Sequence, residues 1–469
     1  MTATQDSSNT LLARRNFLKS STGAALASVG ALAFSGSVQA KSHKPHKPHK
    51  PSKPNEKYWK QIAKEFVLDK RTTYMNVGST GSMPRDVLET FTDNNLIVAK
   101  HPYDMLDMFG PWPHMEAMVE TVAGGFGAET HEIVLSRNTT DGMCSVIHGL
   151  QFEAGDVVLT THHEHIAALS PLHVIAQRYD VEVVELDIPV YNGRNEITED
   201  QFVQLFADAV AEYGDRVKLI TFSHITYKTG TTLPAKRICN EVAVPNQIPT
   251  LVDGAHGIGM LDLDFHDMDC DFYVGAGHKW QCGPGATGIL YVRDNCSRIS
   301  EYWPERANPF SYINSSLAHY GMNAADTMQY VGNDHYPAKQ ALVDSCVMWD
   351  EIGRDVIEER VLHLSTLCKS ELEQSFPDAY IYSPKQLELS SGLTTVNPFN
   401  DQADGDTLKL FRDRLREEYG YIVRTTDFYF AKADNVKTYA LRISTHLFHS
   451  EDDVRGLVRA MRELFDEMS

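Results

Sequence analysis

The sequence predicts an α/β protein with a mostly parallel central sheet in a large domain, followed by a smaller C-terminal α/β domain. From Glu132 onward, short β-branched runs alternate with amphipathic stretches at regular intervals, as expected for a sheet covered by helices on both faces. Asp271 to Arg293, DFYVGAGHKWQCGPGATGILYVR, sets Lys279 in a glycine-rich turn between two apolar runs. After Arg293 the alternation breaks. At 469 residues and 42% hydrophobic content, the chain can bury a large core and divides into more than one domain.

Ala13-Arg14-Arg15-Asn16-Phe17-Leu18-Lys19 precedes an apolar run from Ala24 to Phe34 and a small-x-small pattern at Val38-Gln39-Ala40. The segment resembles a bacterial twin-arginine signal, so residues 1–40 predict export to the periplasm or beyond by the twin-arginine translocase. The apolar run is too short and too rich in Gly and Ser to span a membrane. Residues 41–54, KSHKPHKPHKPSKP, cannot build a core and read as an extended spacer. Metal binding through His43, His46 and His49 is the other reading of that run.

Residues 55–90 form an N-terminal segment, with helical spacing from Tyr58 to Leu68, a short strand ending in the Gly- and Ser-rich turn at Gly78 to Gly81, and a helix opened by Pro84. The large domain spans 91–335. Met115 to Phe126 reads as a helix stopped by Gly124-Gly125. Strands are expected at Ile133–Ser136, Asp156–Thr160, Val181–Ile188, Val217–Ser223 and Pro249–Asp253, separated by helices at Asp141–Leu150, Ile166–Arg178, Ile197–Tyr213 and Pro234–Val244. Residues 336–469 are the small domain. Its expected strands are Leu393–Asn397, Ile422–Thr426 and Thr438–Ser444, among helices ending with Glu451–Met468.

A formal net charge of −20 argues against nucleic acid as a partner, since phosphate contacts need clustered Lys and Arg and the basic residues here concentrate in the N-terminal tail. The seven cysteines lack C-x-x-C spacing and predict buried free thiols in place of a disulfide or zinc framework.

In open α/β sheets ligands bind at the carboxyl ends of the strands. Asn138-Thr139-Thr140-Asp141-Gly142 opens a helix there, where backbone N–H groups and hydroxyls form an anion pocket or simply a cap. Thr161-His162-His163-Glu164-His165 has metal-ligand residue types, but without a second ligand pair it reads as a surface loop or an aromatic platform. Asp253 closes a buried strand and needs a cation or a protonated ring nitrogen beside it. His256 and His278 flank the same region. Lys279, displayed between glycines, carries an amine able to form an imine.

Together these residues resemble the class V aminotransferase family of fold-type I enzymes that use pyridoxal 5′-phosphate (PLP), and within it the isopenicillin N epimerase-like branch. The likeness runs from about Tyr74 to the C-terminus and is carried by VDGAHGIG, GAGHKWQCGPGATGILYVR, LRIST and His224-Ile225-Thr226. It implies that Lys279 is the imine-forming lysine, that Asp253 pairs with the pyridine nitrogen and that His165 stacks on the ring. Thr140 and His278 then lie on the phosphate side, with His256 and Tyr227 also against the cofactor. Arg442 grips the substrate carboxylate, a task suited to a bidentate guanidinium.

Three positions depart from the family pattern. Tyr227 stands where Asn or Ser is common, Ala276 where a phosphate-binding Ser occurs, and Met322 where a Thr reaches across from a partner subunit. The segment Arg424 to Phe430 lacks the loop cysteine of cysteine desulfurases. The resemblance implies a homodimeric PLP enzyme that labilises the α-carbon of an amino acid, epimerase- or racemase-like. Transamination and β-elimination use the same chemistry, and a non-catalytic exported PLP- or metal-binding protein is the reading from another class.

Overall fold

The computed structural model describes residues 54–109, 114–311, 315–319 and 324–468. The twin-arginine segment, the His-rich run and Met322 lie outside the described residues. No helix among the described residues is long and apolar enough to cross a membrane.

Seven strands form the main sheet. They are β2 (Ile133–Ser136), β3 (Val157–Thr161), β4 (Glu182–Leu186), β5 (Val217–Ser223), β6 (Thr250–Asp253), β7 (Phe272–Ala276) and β8 (Gly288–Val292), in the order β2-β8-β7-β6-β5-β3-β4. β8 runs antiparallel to both neighbours, while the other pairings are parallel. Alternate residues of each strand enter opposite cores. Ile133, Leu159, Val252, Tyr273 and Ile289 join one; Val134, Val158, Leu251, Val274 and Leu290 join the other. Two-sided burial explains why these strands read as near-continuous apolar runs.

The helices follow the expected alternation. Arg85–Lys100 (α1) and His114–Gly124 (α2) precede the sheet, and Thr139–Gly149 (α3), Ile166–Tyr179 (α4) and Glu199–Tyr213 (α5) connect its strands. Met143, Val146 and Ile147 of α3 pack on the second core, and Phe202 and Phe206 of α5 on the first. At Gly142 a Cβ would sit 2.3 Å from Val274 Cγ1. Glycine there lets the first turn of α3 lie on β7.

The Pro234–Val244 stretch departs from expectation. Only Ala235–Arg237 is α-helical, and the chain widens into a π-helical turn at Ile238–Ala243 and ends in a 3₁₀ turn at Val244–Asn246. Pro245 explains the break, because its ring takes the space of the carbonyl four residues back.

A second, antiparallel sheet has the order β12-β13-β10-β9, from β9 (Tyr380–Ile381), β10 (Leu393–Asn397), β12 (Arg424–Phe428) and β13 (Thr438–Ser444). Tyr336–Ile352 (α6) packs on the first core of the main sheet. Arg354–Ser375 (α7), Gly405–Tyr419 (α8) and Glu451–Met468 (α9) pack on the second sheet through Leu372, Phe411, Leu457 and Met461. The expected strand at Ile422–Thr426 is divided. Tyr421–Ile422 (β11) pairs in parallel with Thr73–Tyr74 (β1), and after Val423 the chain joins β13 instead.

Candidate active site

The carboxyl ends of β2, β3, β5, β6 and β7 meet the second sheet around a cavity of about 370 Å³. Lys279, Asp253, His165, Thr140, His256, His278, Tyr227 and Arg442 all line it. Sequence reading thus named the residues that the fold brings together. It did not single out Ser79, Ser223 or Arg424, which also face the cavity.

Lys279 is held by the turn that follows β7. The carbonyl of His278 accepts from Gly81 N–H at 2.7 Å, and that of Lys279 accepts from Cys282 N–H at 3.1 Å. At Gly81 a Cβ would lie 2.0 Å from the Lys279 carbonyl oxygen, so the N-terminal segment approaches this turn through a glycine. Burial lowers the Lys279 amine to about 8; Asp253 opposes the shift, while Arg442 and Arg424 add to it. A substantial neutral fraction at mildly alkaline pH makes the amine a nucleophile and a base.

Asp253 ends β6 and is buried. Its Oδ1 accepts from Ala255 N–H at 2.9 Å, so it caps the turn and also presents a carboxylate to the cavity. Burial raises its pKa, opposed by that hydrogen bond and by Lys279. Gly254 N–H donates to the Val274 carbonyl at 2.7 Å, and Trp280 Nε1–H donates to His256 Nδ1 at 3.0 Å. These two bonds tie the Asp253 turn to the Lys279 turn. Because Nδ1 of His256 accepts, the neutral ring carries its proton on Nε2, and burial with Lys279 nearby holds its pKa well below the usual value.

His165 caps α4, its Nδ1 accepting from Ala167 N–H at 3.1 Å, and its ring meets the edge of Tyr227 at 5.1 Å. Burial, then Lys279, Arg424 and Arg442, bring its pKa down to about 4. It therefore offers a neutral ring at pH 7.

The His-rich segment is not a surface loop. His162, His163 and Glu164 are buried, and both imidazoles lie against the Tyr429 carbonyl. Glu164 Oε1 accepts from Thr161 Oγ at 2.6 Å and Ser223 N–H at 3.0 Å, and Oε2 accepts from Ser223 Oγ at 2.5 Å. Burial nevertheless pushes its carboxyl up to about 7.

At the N-terminus of α3, Asn138 Oδ1 accepts from Asp141 N–H at 2.9 Å, so the cap is real. The same turn faces the cavity, and Thr139 Oγ1 and His278 Nδ1 are buried without a hydrogen-bond partner. Orphaned polar atoms beside a helix N-terminus suit a bound anion.

Arg442, on β13, is 1% exposed and therefore no surface-strand arginine. Its guanidinium donates to the Tyr227 carbonyl at 3.0 Å and to Ser79 Oγ at 3.2 Å, and Nε has no partner. Burial and Arg424 bring its pKa down to about 10.

Residues 79–457 match the family described as aminotransferase class-V. The chain belongs to that family. It is 27% identical over 417 residues to isopenicillin N epimerase of Amycolatopsis lactamdurans, covering 87% of this chain and 98% of that protein. It is 31% identical over 253 residues to the isopenicillin N epimerase of Streptomyces clavuligerus, covering 53% of this chain and 60% of that protein. Among solved structures, a cysteine desulfurase of Thermococcus onnurineus superposes with a TM-score of 0.70 at 20% identity, over 87% of this chain and 98% of that one. The cystine lyase variant C-DES, with glycine covalently linked to its PLP cofactor, gives a TM-score of 0.65 at 21% identity over 87% and 99%. The architecture is that of PLP fold-type I, and the chain is a PLP-dependent class V enzyme.

The residues present fit PLP. The orphaned Thr139 hydroxyl at the α3 N-terminus can donate to an anion, Asp253 can hold a protonated ring nitrogen, His165 offers a planar face, and the Lys279 amine can hold the cofactor covalently. Ala276 is buried in β7 and contributes no hydroxyl.

Proposed function

We propose that this class V enzyme acts on an amino acid as an epimerase or racemase, with Arg442 binding the α-carboxylate and Lys279 moving the α-proton. The observation that carries this reading is a buried guanidinium with only neutral hydrogen-bond partners in the same cavity as a lysine lowered to about 8. A buried cation without a carboxylate is costly, and a carboxylate ligand supplies the missing partner.

PLP, when bound, withdraws electrons from the substrate α-carbon and so acidifies its proton. The protein's own groups then do the rest. Asp253 keeps a positive charge fixed at its end of the cavity. His165, neutral at pH 7, covers a planar group without adding charge. Lys279 in its neutral form accepts the α-proton on its own face of the substrate, and inversion takes a proton from an acid on the opposite face.

Incubation of the PLP-loaded protein with single amino acids in deuterated water, followed by chiral product analysis, tests the reading. The expected result is α-deuterium incorporation with appearance of the opposite enantiomer, lost in Lys279→Ala. A keto acid in place of the enantiomer moves the assignment to transamination or β-elimination. The absence of any exchange favours the non-catalytic binding reading. None of the seven cysteines is among the cavity-lining residues, which argues against persulfide chemistry.

The same reading includes a homodimer and export by the twin-arginine route. Light scattering should give twice the chain mass, and Arg14→Lys with Arg15→Lys should retain the protein in the cytoplasm. A monomer that is fully active, or unchanged export of the double variant, would remove the corresponding element.

A further inference from the structure

We infer that the substrate carries a second acidic group, bound by Arg424 at the mouth of the cavity while Arg442 holds the α-carboxylate in its wall. This deepens, and rests on, the amino-acid reading above. Arg424 and Arg442 are directly opposite partners in the antiparallel pairing of β12 with β13. Like charges directly opposite one another destabilise a sheet, so the pairing calls for a compensating anion.

The protein supplies none at this place. Arg424 donates to Ser79 Oγ at 3.1 Å, and Arg442 donates to the same oxygen at 3.2 Å. A hydroxyl oxygen leaves both positive charges uncompensated. Among the described residues neither arginine has a carboxylate within ion-pairing distance. Asp427, on the same strand as Arg424, is paired with Lys437 at 2.8 Å.

Depth separates the two cations. Arg442 is buried and Arg424 exposed, and both line the cavity that holds Lys279. The anion pocket at Asn138 to Thr140 belongs to the main sheet, so the arginines of the second sheet face a different anion. A carboxylate on the side chain of an α-amino acid, extending from the α-carbon toward the mouth, matches this order of charges.

The test uses the PLP-loaded full chain. α-Proton exchange is measured for aspartate and glutamate against asparagine and glutamine, in wild type, Arg424→Gln and Arg424→Lys. Loss of a hydrogen-bonded charge pair predicts a roughly 10- to 100-fold fall in the ratio of acid to amide exchange in Arg424→Gln, with partial rescue by Lys; the part of the change shared by acids and amides reports the charge removed from near Lys279. Thermal shift with glutarate against butyrate gives a readout independent of turnover, with a glutarate-specific rise that Arg424→Gln removes.

Amides exchanging as fast as the acids, or Arg424→Gln slowing both alike, overturns this inference and leaves the amino-acid reading intact. No exchange with any amino acid, but an Arg424-dependent glutarate shift, overturns the enzyme reading and keeps the two-anion site. Neither exchange nor shift overturns both.

Discussion

Lys279 and Glu164 show burial acting on opposite charges within one site. For Lys279, burial favours the neutral amine, so covalent uptake of PLP by apoprotein should accelerate as pH rises and level off above about 8. Absorbance during reconstitution measures this, and Lys279→Ala should give no borohydride-trapped adduct at any pH. For Glu164, the folded pKa of about 7 stands above the ordinary 4.5. The folded state then binds the extra proton between those values, and the associated stability is lost as pH rises through about 7. Glu164→Gln should flatten that loss by up to about 3 kcal/mol, read from urea melts at pH 5 and pH 8. Lys279 and Asp253 were legible in the sequence because glycines frame the first and a buried strand ends at the second. Arg424, Ser79 and Glu164 were not. Ser79 meets its guanidinium partners 345 and 363 residues away, and no local pattern records such a contact.

At the scale of elements, α3 and β7 are fitted to each other at Gly142 and Val274. Gly142→Ala should force the helix off the strand, cost about 1–3 kcal/mol by overpacking, and weaken PLP retention on gel filtration by moving the Asn138 turn. Val274→Ala in the same chain removes the atoms in conflict and should restore part of both. If Gly142→Ala retains PLP as well as wild type, the α3 N-terminus does not hold the anion. Most strands and long helices were legible because near-continuous β-branched and apolar runs mark the first and helical apolar spacing the second. Two features were hidden by events that periodicity does not carry. The chain changes sheets at Val423, so one apolar run became β11 and β12. Ahead of Pro245 the spacing of Pro234–Val244 reads as one helix, although the backbone widens into a π-helical turn at Ile238–Ala243.

Across the whole molecule, three cations converge on one cavity of a chain whose formal charge is −20. The local field favours anionic ligands there even though the protein as a whole repels them. Ligation should therefore be felt as stability. PLP at a hundredfold its Kd should raise the unfolding free energy by about 2.7 kcal/mol, seen as a higher Tm, and Lys279→Ala should keep the part due to the anion pocket. An unchanged Tm with saturating PLP would mean that the folded chain does not bind the cofactor in preference to the unfolded one. The pairing of β1 with β11, and of Ser79 with both arginines, also sets the order of events during synthesis. Every strand of the main sheet has been synthesised by Val292, and that sheet can form while the chain is still growing. Its ligand cleft cannot, because one wall is Arg442 and the early Ser79 must wait for it. A nascent chain arrested before Thr438 would thus carry the cofactor lysine on a finished scaffold with no place to keep a substrate. On the proposed reading, the carboxylate site is completed only near the end of translation.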